Sequence, residues 1–266
     1  MKVLGQLRKM DVEAQSPIAY FLSLDKKSYP LNQHIGESIS LKWAGTITCI
    51  ECGRKTRKSY DQGYCFPCSR DLPGNAMCSV RPELCEHEKG NEADQEFWRT
   101  HCKIDHFVYL SLTSGVKVGI TRHYNIPDRW IDQGAVKGLI IAKVPERVLS
   151  GQIEVAIAKD FADKTNWRKM LKGEVAEVDL LTFRDKAQEL FPTELKKYAV
   201  KDGQVEELVY PVESVPEKIS SHNLDKTPEF TDRLTGIKGQ YLIFERRVIN
   251  MRKYGGYHVE FDFQDR

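Results

Sequence analysis

The chain has 266 residues, and its 40 basic and 38 acidic side chains leave a net charge of only +2. This near balance excludes a strong overall field that would attract nucleic acid or a membrane surface. Hydrophobic residues make up 41% of the chain, which is enough for folded cores and excludes wholesale disorder. No apolar run approaches the roughly 18 residues of a membrane span, and the first residues do not resemble a signal peptide. We expect a cytoplasmic protein without a membrane contact.

The first predicted segment, residues 1–45, is a small β element. It contains two short runs in which apolar and polar residues alternate, AYFLSL and SISLKW, and a turn-rich stretch separates them.

A cysteine-rich region follows at residues 46–106 and contains all seven cysteines of the chain. Four of them form two Cys-x2-Cys pairs with twelve residues between the pairs, at Cys49, Cys52, Cys65 and Cys68. Two such pairs bring four thiolates to one ion from two turns, so the spacing predicts a zinc ribbon or zinc knuckles. Buried structural cysteines or a redox Cys-x2-Cys pair are the alternatives.

The other three cysteines predict a second zinc site. Cys78, Cys85 and Cys102 lie in a polar stretch with too few apolar residues to fold without a metal. Because Cys102-x3-His106 can present both side chains to one ion, we expect His106 as the fourth ligand, with His87 and His101 as alternatives. Both zinc sites would be structural, since four protein ligands close each of them.

Between the first two cysteine pairs lies a run of basic residues near three aromatic side chains. Such a run can hold a nucleic-acid backbone by charge, although zinc ribbons also expose basic residues without binding anything. The predicted nucleic-acid contacts of this run are Arg54, Lys55, Arg57 and Lys58.

Residues 106–122 predict a β-hairpin with a turn at residues 113–115. Period-two alternation places one set of apolar residues on the core side, and it places Tyr109, Lys117 and Thr121 on the opposite side. Gly119 would leave that opposite surface bare, so that a phosphate could approach. Asn125 and Pro127 then predict the start of a helix.

This segment resembles the GIY-YIG endonuclease superfamily over residues 106–173. Residues 107–109 stand at the GIY strand and residues 117–119 at the YIG strand, with Phe107 in place of the first glycine and Lys117 in place of the second tyrosine. Arg129 takes the place of the family's helical arginine, and Glu154 that of its metal-binding glutamate. The wider chain also looks like a bacterial family of uncharacterised zinc-containing proteins.

The resemblance implies metal-assisted hydrolysis of phosphodiesters. Glu154 would hold one Mg²⁺ or Mn²⁺, Tyr109 or Lys117 would help to deprotonate the attacking water, and Arg129 would stabilise the charge on the phosphate. The implied phosphate contacts are Gly119, Thr121 and Arg122.

The remaining residues predict helices at 145–161, 164–172 and 182–190, followed by a C-terminal region of mostly β structure. The fold class is therefore α+β, with a zinc-binding region, a small nuclease-like α/β domain and a β region formed by both terminal segments. The predicted boundaries are 1–45, 46–106, 107–173 and 174–266.

Three hypotheses for function follow. The first is a zinc-containing nuclease that acts on DNA or RNA. The second is a non-catalytic nucleic-acid-binding or adaptor protein that keeps the nuclease scaffold. The third is a zinc scaffold that binds only protein.

Overall fold

The computed structural model describes residues 1–158, 161 and 166–264, and the fold is of the mixed α+β class. The helices are α1 (Phe66–Asp71), α2 (Glu92–Phe97), α3 (Asp128–Asp132), α4 (Arg147–Ala158), α5 (Trp167–Lys172) and α6 (Leu180–Glu189). The strands are β1 (Lys2–Gln6), β2 (Asp11–Glu13), β3 (Ala19–Leu24), β4 (Lys27–Pro30), β5 (Ser38–Ile47), β6 (His106–Leu112), β7 (Val116–Arg122), β8 (Lys137–Val144), β9 (Glu206–Glu207), β10 (Glu229–Lys238), β11 (Tyr241–Phe244), β12 (Val248–Asn250) and β13 (Tyr257–Phe263).

The chain divides into two compact units. Unit 1 comprises residues 1–70 and 209–266, and unit 2 comprises residues 71–208. The sequence prediction instead treats residues 46–106 as one cysteine-rich region, but this stretch contributes to both units.

Unit 1 is built on a six-stranded sheet in the order β1-β13-β5-β10-β11-β12, with a three-stranded sheet β2-β3-β4 beside it in the same unit. Strand β13 alternates buried and half-exposed residues along its whole length, as a strand with one core-facing side does. It pairs antiparallel with β1 and with β5. The expected pairing between N-terminal and C-terminal strands is therefore confirmed.

Unit 2 contains a four-stranded sheet in the order β7-β6-β8-β9. The predicted hairpin is present, with Tyr109 of β6 directly opposite Gly119 of β7. Its predicted core side is confirmed, because Val108, Leu110 and Val118 pack with Ile153 and Ile157 of α4. Helix α3 begins after Pro127, as the sequence predicts, and covers the other side of the sheet with Trp130.

Helix α4 ends within the described residues at Ala158, so residues 159–160 and the first two residues of the predicted 164–172 helix lie outside the described part of the chain. Among the residues that the structure describes, there is no helix with the length and apolar character needed to span a membrane.

Candidate metal centres and the nuclease-like face

The first cysteine cluster lies in unit 1, where two turns present four thiols to one point. The first turn closes with the Gly53 N–H donating to the Cys49 carbonyl at 3.0 Å, and Gly53 adopts a φ of +69° that favours glycine. The second turn closes with the Ser69 N–H donating to the Cys65 carbonyl at 2.9 Å, where helix α1 begins. The four sulfur atoms lie within 4.8 Å of one another.

The donor set of this cluster fits zinc. The Sγ atoms of Cys52 and Cys65 are 3.7 Å apart. Zn–S bonds of about 2.3 Å in a tetrahedron place two sulfur atoms about 3.8 Å apart, whereas a disulfide would bring them to about 2.05 Å. Burial raises the pKa of the Cys49 thiol, but hydrogen bonds from the backbone N–H groups of Cys52, Cys65 and Glu51 outweigh it and lower this pKa to about 6. The lowered pKa favours the thiolate form that a metal requires. Cys49, Cys52, Cys65 and Cys68 could therefore hold zinc.

The basic run between these cysteine pairs is exposed on the surface of unit 1. Phe66, which follows the run in the sequence, is 54% exposed, and its ring lies 5.6 Å from that of Tyr60 in an edge-to-face arrangement. Unit 1 thus presents exposed basic side chains and an exposed aromatic ring. The exposed basic residues are Arg54, Lys55, Arg57 and Lys58.

The second cluster lies in unit 2 and consists of Cys78, Cys85 and His87, whose ligand atoms lie within 4.8 Å of one another. The Nε2 atom of His87 is 3.1 Å from the Cys78 sulfur. The Cys102 sulfur is 3.7 Å from that of Cys85, the same separation as in the first cluster. Hydrogen bonding with the Cys102 and Cys78 side chains lowers the pKa of Cys85 to about 2. This set could also hold zinc.

A carboxylate behind His87 was not foreseen from the sequence. The Nδ1 atom of His87 lies 3.2 Å from a carboxylate oxygen of Asp94. Asp94 is fixed by a capping box at the start of α2, in which it exchanges hydrogen bonds with Asn91. A carboxylate on Nδ1 places the proton there and leaves the Nε2 lone pair for a metal. The Asn-x-x-Asp pattern at residues 91–94 was the available sequence signal.

His106, the expected fourth ligand, does not join this cluster. It lies in β6, and its Nδ1 atom is 2.8 Å from the Ile104 carbonyl oxygen. Burial lowers the pKa of His106 to about 4, so the ring is neutral near pH 7. The histidine grouped with Cys78 and Cys85 is the alternative His87 rather than the expected His106. His101, the other alternative, stacks on Phe97 with ring centroids 4.3 Å apart.

The predicted open surface over Gly119 is filled by a tyrosine. A side-chain carbon added at Gly119 would lie 2.5 Å from the Tyr109 hydroxyl oxygen. Glycine is thus required there to make room for the phenol ring, and the expected bare surface for a phosphate is absent at this position.

Tyr109 is fully buried against Trp130 and Ala135, so it does not stand on an open polar face as expected. Its hydroxyl accepts a hydrogen bond from Gln133 Nε2 at 2.9 Å and is also bonded to Arg129. Burial raises the pKa of Tyr109, although Arg129 and Gln133 act to lower it. A buried phenol of raised pKa is suited to holding Arg129 in place rather than to taking a proton from water.

The four residues of the implied catalytic set converge only in part. Tyr109 and Arg129 are in contact, and the charge of Glu154 reaches Tyr109 and raises its pKa. Glu154, however, lines a cavity of about 450 Å³ together with Val118 and Glu83, whereas Arg129 lines a different one. Lys117 lines neither of these two cavities.

The cavity at Arg129 has a volume of about 370 Å³ and a basic lining. Two of the predicted phosphate contacts, Thr121 and Arg122, line it together with Arg147 at the start of α4. Arg147 also donates from a terminal guanidinium nitrogen to the Ser79 carbonyl at 3.2 Å. Sequence reasoning missed Arg147 because nothing in its local pattern separates it from a solvated arginine at a helix start.

Comparison with known families gives one match. Residues 36–259 match the family described as "Protein of unknown function (DUF2797)". No curated protein and no solved structure matches the chain.

Proposed function

The chain belongs to the DUF2797 family, and on the chemistry of its own residues we propose that it is a nucleic-acid-binding protein with two structural zinc sites and a nuclease-like scaffold in unit 2. The observation that carries this proposal is the basic cavity, where Arg122, Arg129 and Arg147 lie close enough to line one space. Guanidinium groups bind phosphate oxygens through two parallel hydrogen bonds and are the common choice for phosphate recognition.

The scaffold supports the same conclusion. Tyr109 is opposite Gly119, its hydroxyl is bonded to Arg129, and the hairpin is followed by a helix, a strand and a further helix. This arrangement fits the resemblance to GIY-YIG nucleases, in which the arginine faces a phosphate. In the present chain the buried tyrosine is a positioning residue that orients Arg129.

Unit 1 adds a second contact surface of its own. The exposed basic run between the cysteine pairs is followed in the sequence by Tyr60, whose ring contacts the exposed ring of Phe66. Bases of a single strand stack on such rings while the basic side chains contact the backbone.

Salt dependence tests the binding proposal. Fluorescence anisotropy with labelled single- and double-stranded DNA and RNA should give affinity that falls steeply with salt, because each phosphate contact contributes a slope of roughly 0.7 to 0.9 in a log–log plot. Replacing Arg54, Lys55, Arg57 and Lys58 together by Gln should lower this slope. Association that does not respond to salt, or no association with any nucleic acid, would favour the protein-binding scaffold instead.

Metal-dependent hydrolysis is the second candidate function, and the electrostatic effect of Glu154 on Tyr109 is the observation that favours it. Helix α4 packs against β6 and β7, and the charge of Glu154 raises the pKa of Tyr109. A carboxylate there could hold Mg²⁺ or Mn²⁺, which would supply Lewis-acid activation of water and phosphate. Arg129 would stabilise the developing charge, and Lys117 is the remaining candidate for the proton transfer.

Cleavage assays separate the two candidates. Wild type, Glu154→Gln and the control Glu189→Gln, which alters an exposed carboxylate on α6, would be compared with Mg²⁺ and then Mn²⁺. Cleavage by wild type and the control alone supports hydrolysis through Glu154. Cleavage by all three contradicts that role, and salt-sensitive binding without cleavage leaves the binding function standing by itself.

A further inference from the structure

Three arginines from three different elements line the 370 Å³ cavity of unit 2. Arg122 is the last residue of β7, Arg129 lies on α3, and Arg147 is the first residue of α4. The opposite wall comes from the segment that carries the second cysteine cluster and includes Gly74, Ser79, Phe97 and His101. The volume is at the lower end of the roughly 300–1,000 Å³ of small-molecule sites.

The lining is strongly one-sided in charge. Three guanidinium groups give it a formal charge of +3, and the lining residues described by the structure include no aspartate or glutamate. Thr121, Asn125 and Ser79 add polar groups to the lining. An anion that enters would be surrounded by donors.

The arginines are held in place before any ligand arrives. Arg129 is bonded to the buried Tyr109 hydroxyl, and Arg147 donates to the Ser79 carbonyl at 3.2 Å. The Arg122 guanidinium lies 5.2 Å from the centroid of the Tyr124 ring. Such pre-organisation lowers the entropic cost of binding.

One donor in this wall lacks an acceptor. The Nε atom of Arg147 is buried, and among the described residues it has no hydrogen-bond partner. A buried guanidinium nitrogen without a partner carries a desolvation cost.

We propose that this cavity binds a phosphate monoester, either at the end of a nucleic-acid strand or on a free mononucleotide. A monoester carries close to two negative charges near neutral pH, whereas an internal phosphodiester carries one, so the monoester matches a lining of +3 better. The small volume suits one terminal group rather than a strand that continues on both sides. This inference rests on the proposed nucleic-acid binding and names the chemical group that the site selects.

The test compares one single-stranded oligonucleotide with a 5′-phosphate, a 3′-phosphate or hydroxyl groups at both ends, each bound to the full-length zinc-loaded protein. We expect one phosphorylated form to bind about tenfold tighter than the hydroxyl form, since one charge-assisted hydrogen bond supplies such a factor. Arg122→Gln and Arg147→Gln should each remove most of that preference. The control Arg168→Gln, which alters an exposed arginine outside the cavity, should retain it.

Competition identifies the source of the phosphate. Inorganic phosphate and a 5′-mononucleotide would be titrated separately by calorimetry against wild type and the same variants. If the protein prefers one phosphorylated oligonucleotide, the ligand is the phosphate at the end of a strand. If it shows no such preference but binds the mononucleotide through Arg122, the ligand is the free nucleotide. The zinc content and the melting temperature of each variant show whether it is folded. If Arg147→Gln does not fold, Arg122→Gln at the end of β7 tests the proposal alone.

Two results separate this inference from the proposed function. Equal binding of all three oligonucleotides, with no binding of phosphate or mononucleotide, overturns the monoester site and leaves nucleic-acid binding intact. Arginine-dependent binding of phosphate or mononucleotide, with no oligonucleotide bound, overturns nucleic-acid binding and keeps the monoester site.

Discussion

His87 contacts different partners through its two ring nitrogens, and this decides the composition of the second cluster. Nε2 faces the Cys78 sulfur, while Nδ1 faces the Asp94 carboxylate. His106 lacks this arrangement, because its Nδ1 faces a backbone carbonyl and the residue is part of a buried strand. Whether a histidine can act as a metal ligand therefore depends on the partner of its other ring nitrogen as much as on the spacing of the residues in the sequence.

Replacement of each histidine tests this assignment. His87→Ser should lower bound zinc from two ions per chain to one, because it removes an imidazole ligand of the second cluster. His106→Ser is the matched control and should retain two ions. The measurement is zinc per chain by mass spectrometry after dialysis. Loss of zinc from the His106 variant, with none from the His87 variant, would reverse the assignment.

Lys238 is a residue whose burial makes unit 1 sensitive to pH. It is 5% exposed, its ammonium group lies 5.2 Å from the centre of the Tyr210 ring, and burial lowers its pKa from 10.5 to about 8. Between pH 8 and pH 10.5 the unfolded chain therefore binds a proton that the folded chain has released. The free energy of unfolding contributed by this group rises with pH across that window.

Lys238→Met should remove this pH dependence. At pH 7 the variant should be more stable than wild type, by an amount on the order of 2–3 kcal/mol, because the charged amine no longer has to be buried. The difference should shrink towards pH 10.5. Urea denaturation at pH 7 and pH 10 measures it, and a constant difference at both pH values would contradict the burial of a titrating amine.

At the scale of elements, Gly151 explains how helix α4 meets the segment of the second cluster. A glycine inside a helix costs about 1 kcal/mol relative to alanine, so its presence needs a reason. A side-chain carbon at this position would lie 2.5 Å from the backbone nitrogen of Glu83 and 2.8 Å from the backbone carbon of Pro82. The glycine lets the helix and the metal-binding segment approach each other closely.

Gly151→Ala should therefore destabilise the protein, although alanine is the better helix former. The backbone of residues 82–83 has to shift, and we expect a loss of about 1–3 kcal/mol, the range for overpacked sites. Gly115→Ala is the matched control, since a side-chain carbon there meets nothing within 4 Å. Thermal melting of both variants measures the effect. A Gly151 variant as stable as the control would show that the contact is not tight.

The elements of unit 2 also show what a sequence can and cannot predict. The hairpin and its core side were predictable because strand alternation is a local property, visible in Val108, Leu110 and Val118. The burial of Tyr109 was not predictable, because it depends on Trp130, a helical residue 21 positions later in the chain. The first cysteine cluster was predictable from spacing alone, whereas the role of His87 required the position of Asp94.

On the scale of the whole molecule, candidate metal ligands take the place of an apolar core in residues 71–105. The buried residues of this segment are Cys78, Pro82, His87 and Cys102. Two of these four, Cys78 and His87, belong to the second cluster, and the sulfur atom of Cys102 lies 3.7 Å from that of Cys85 in the same cluster. We therefore expect the order of the segment to depend on a bound metal more than on hydrophobic burial.

Removal of zinc should thus expose this segment selectively. With a chelator present, trypsin should cleave first after Lys89, Arg99 and Lys103, because these exposed residues lie in the segment that loses its ligands. Zinc-loaded protein should resist cleavage at the same sites. Mass spectrometry of the early fragments gives the order of cleavage, and identical fragments with and without chelator would contradict a metal-dependent segment.

Unit 1 is formed from two separate stretches of the chain, and this has a consequence for biosynthesis. Its central strand β5 pairs with β13 and β10, which lie about 190 to 220 residues later in the sequence. The ribosome therefore synthesises the whole of unit 2 before the strands that pair with β5. During this time the edges of the N-terminal strands remain unpaired, while the inserted unit folds. The last strand to emerge completes the sheet, so a nascent chain truncated before β13 exposes a strand edge that quality-control factors can recognise.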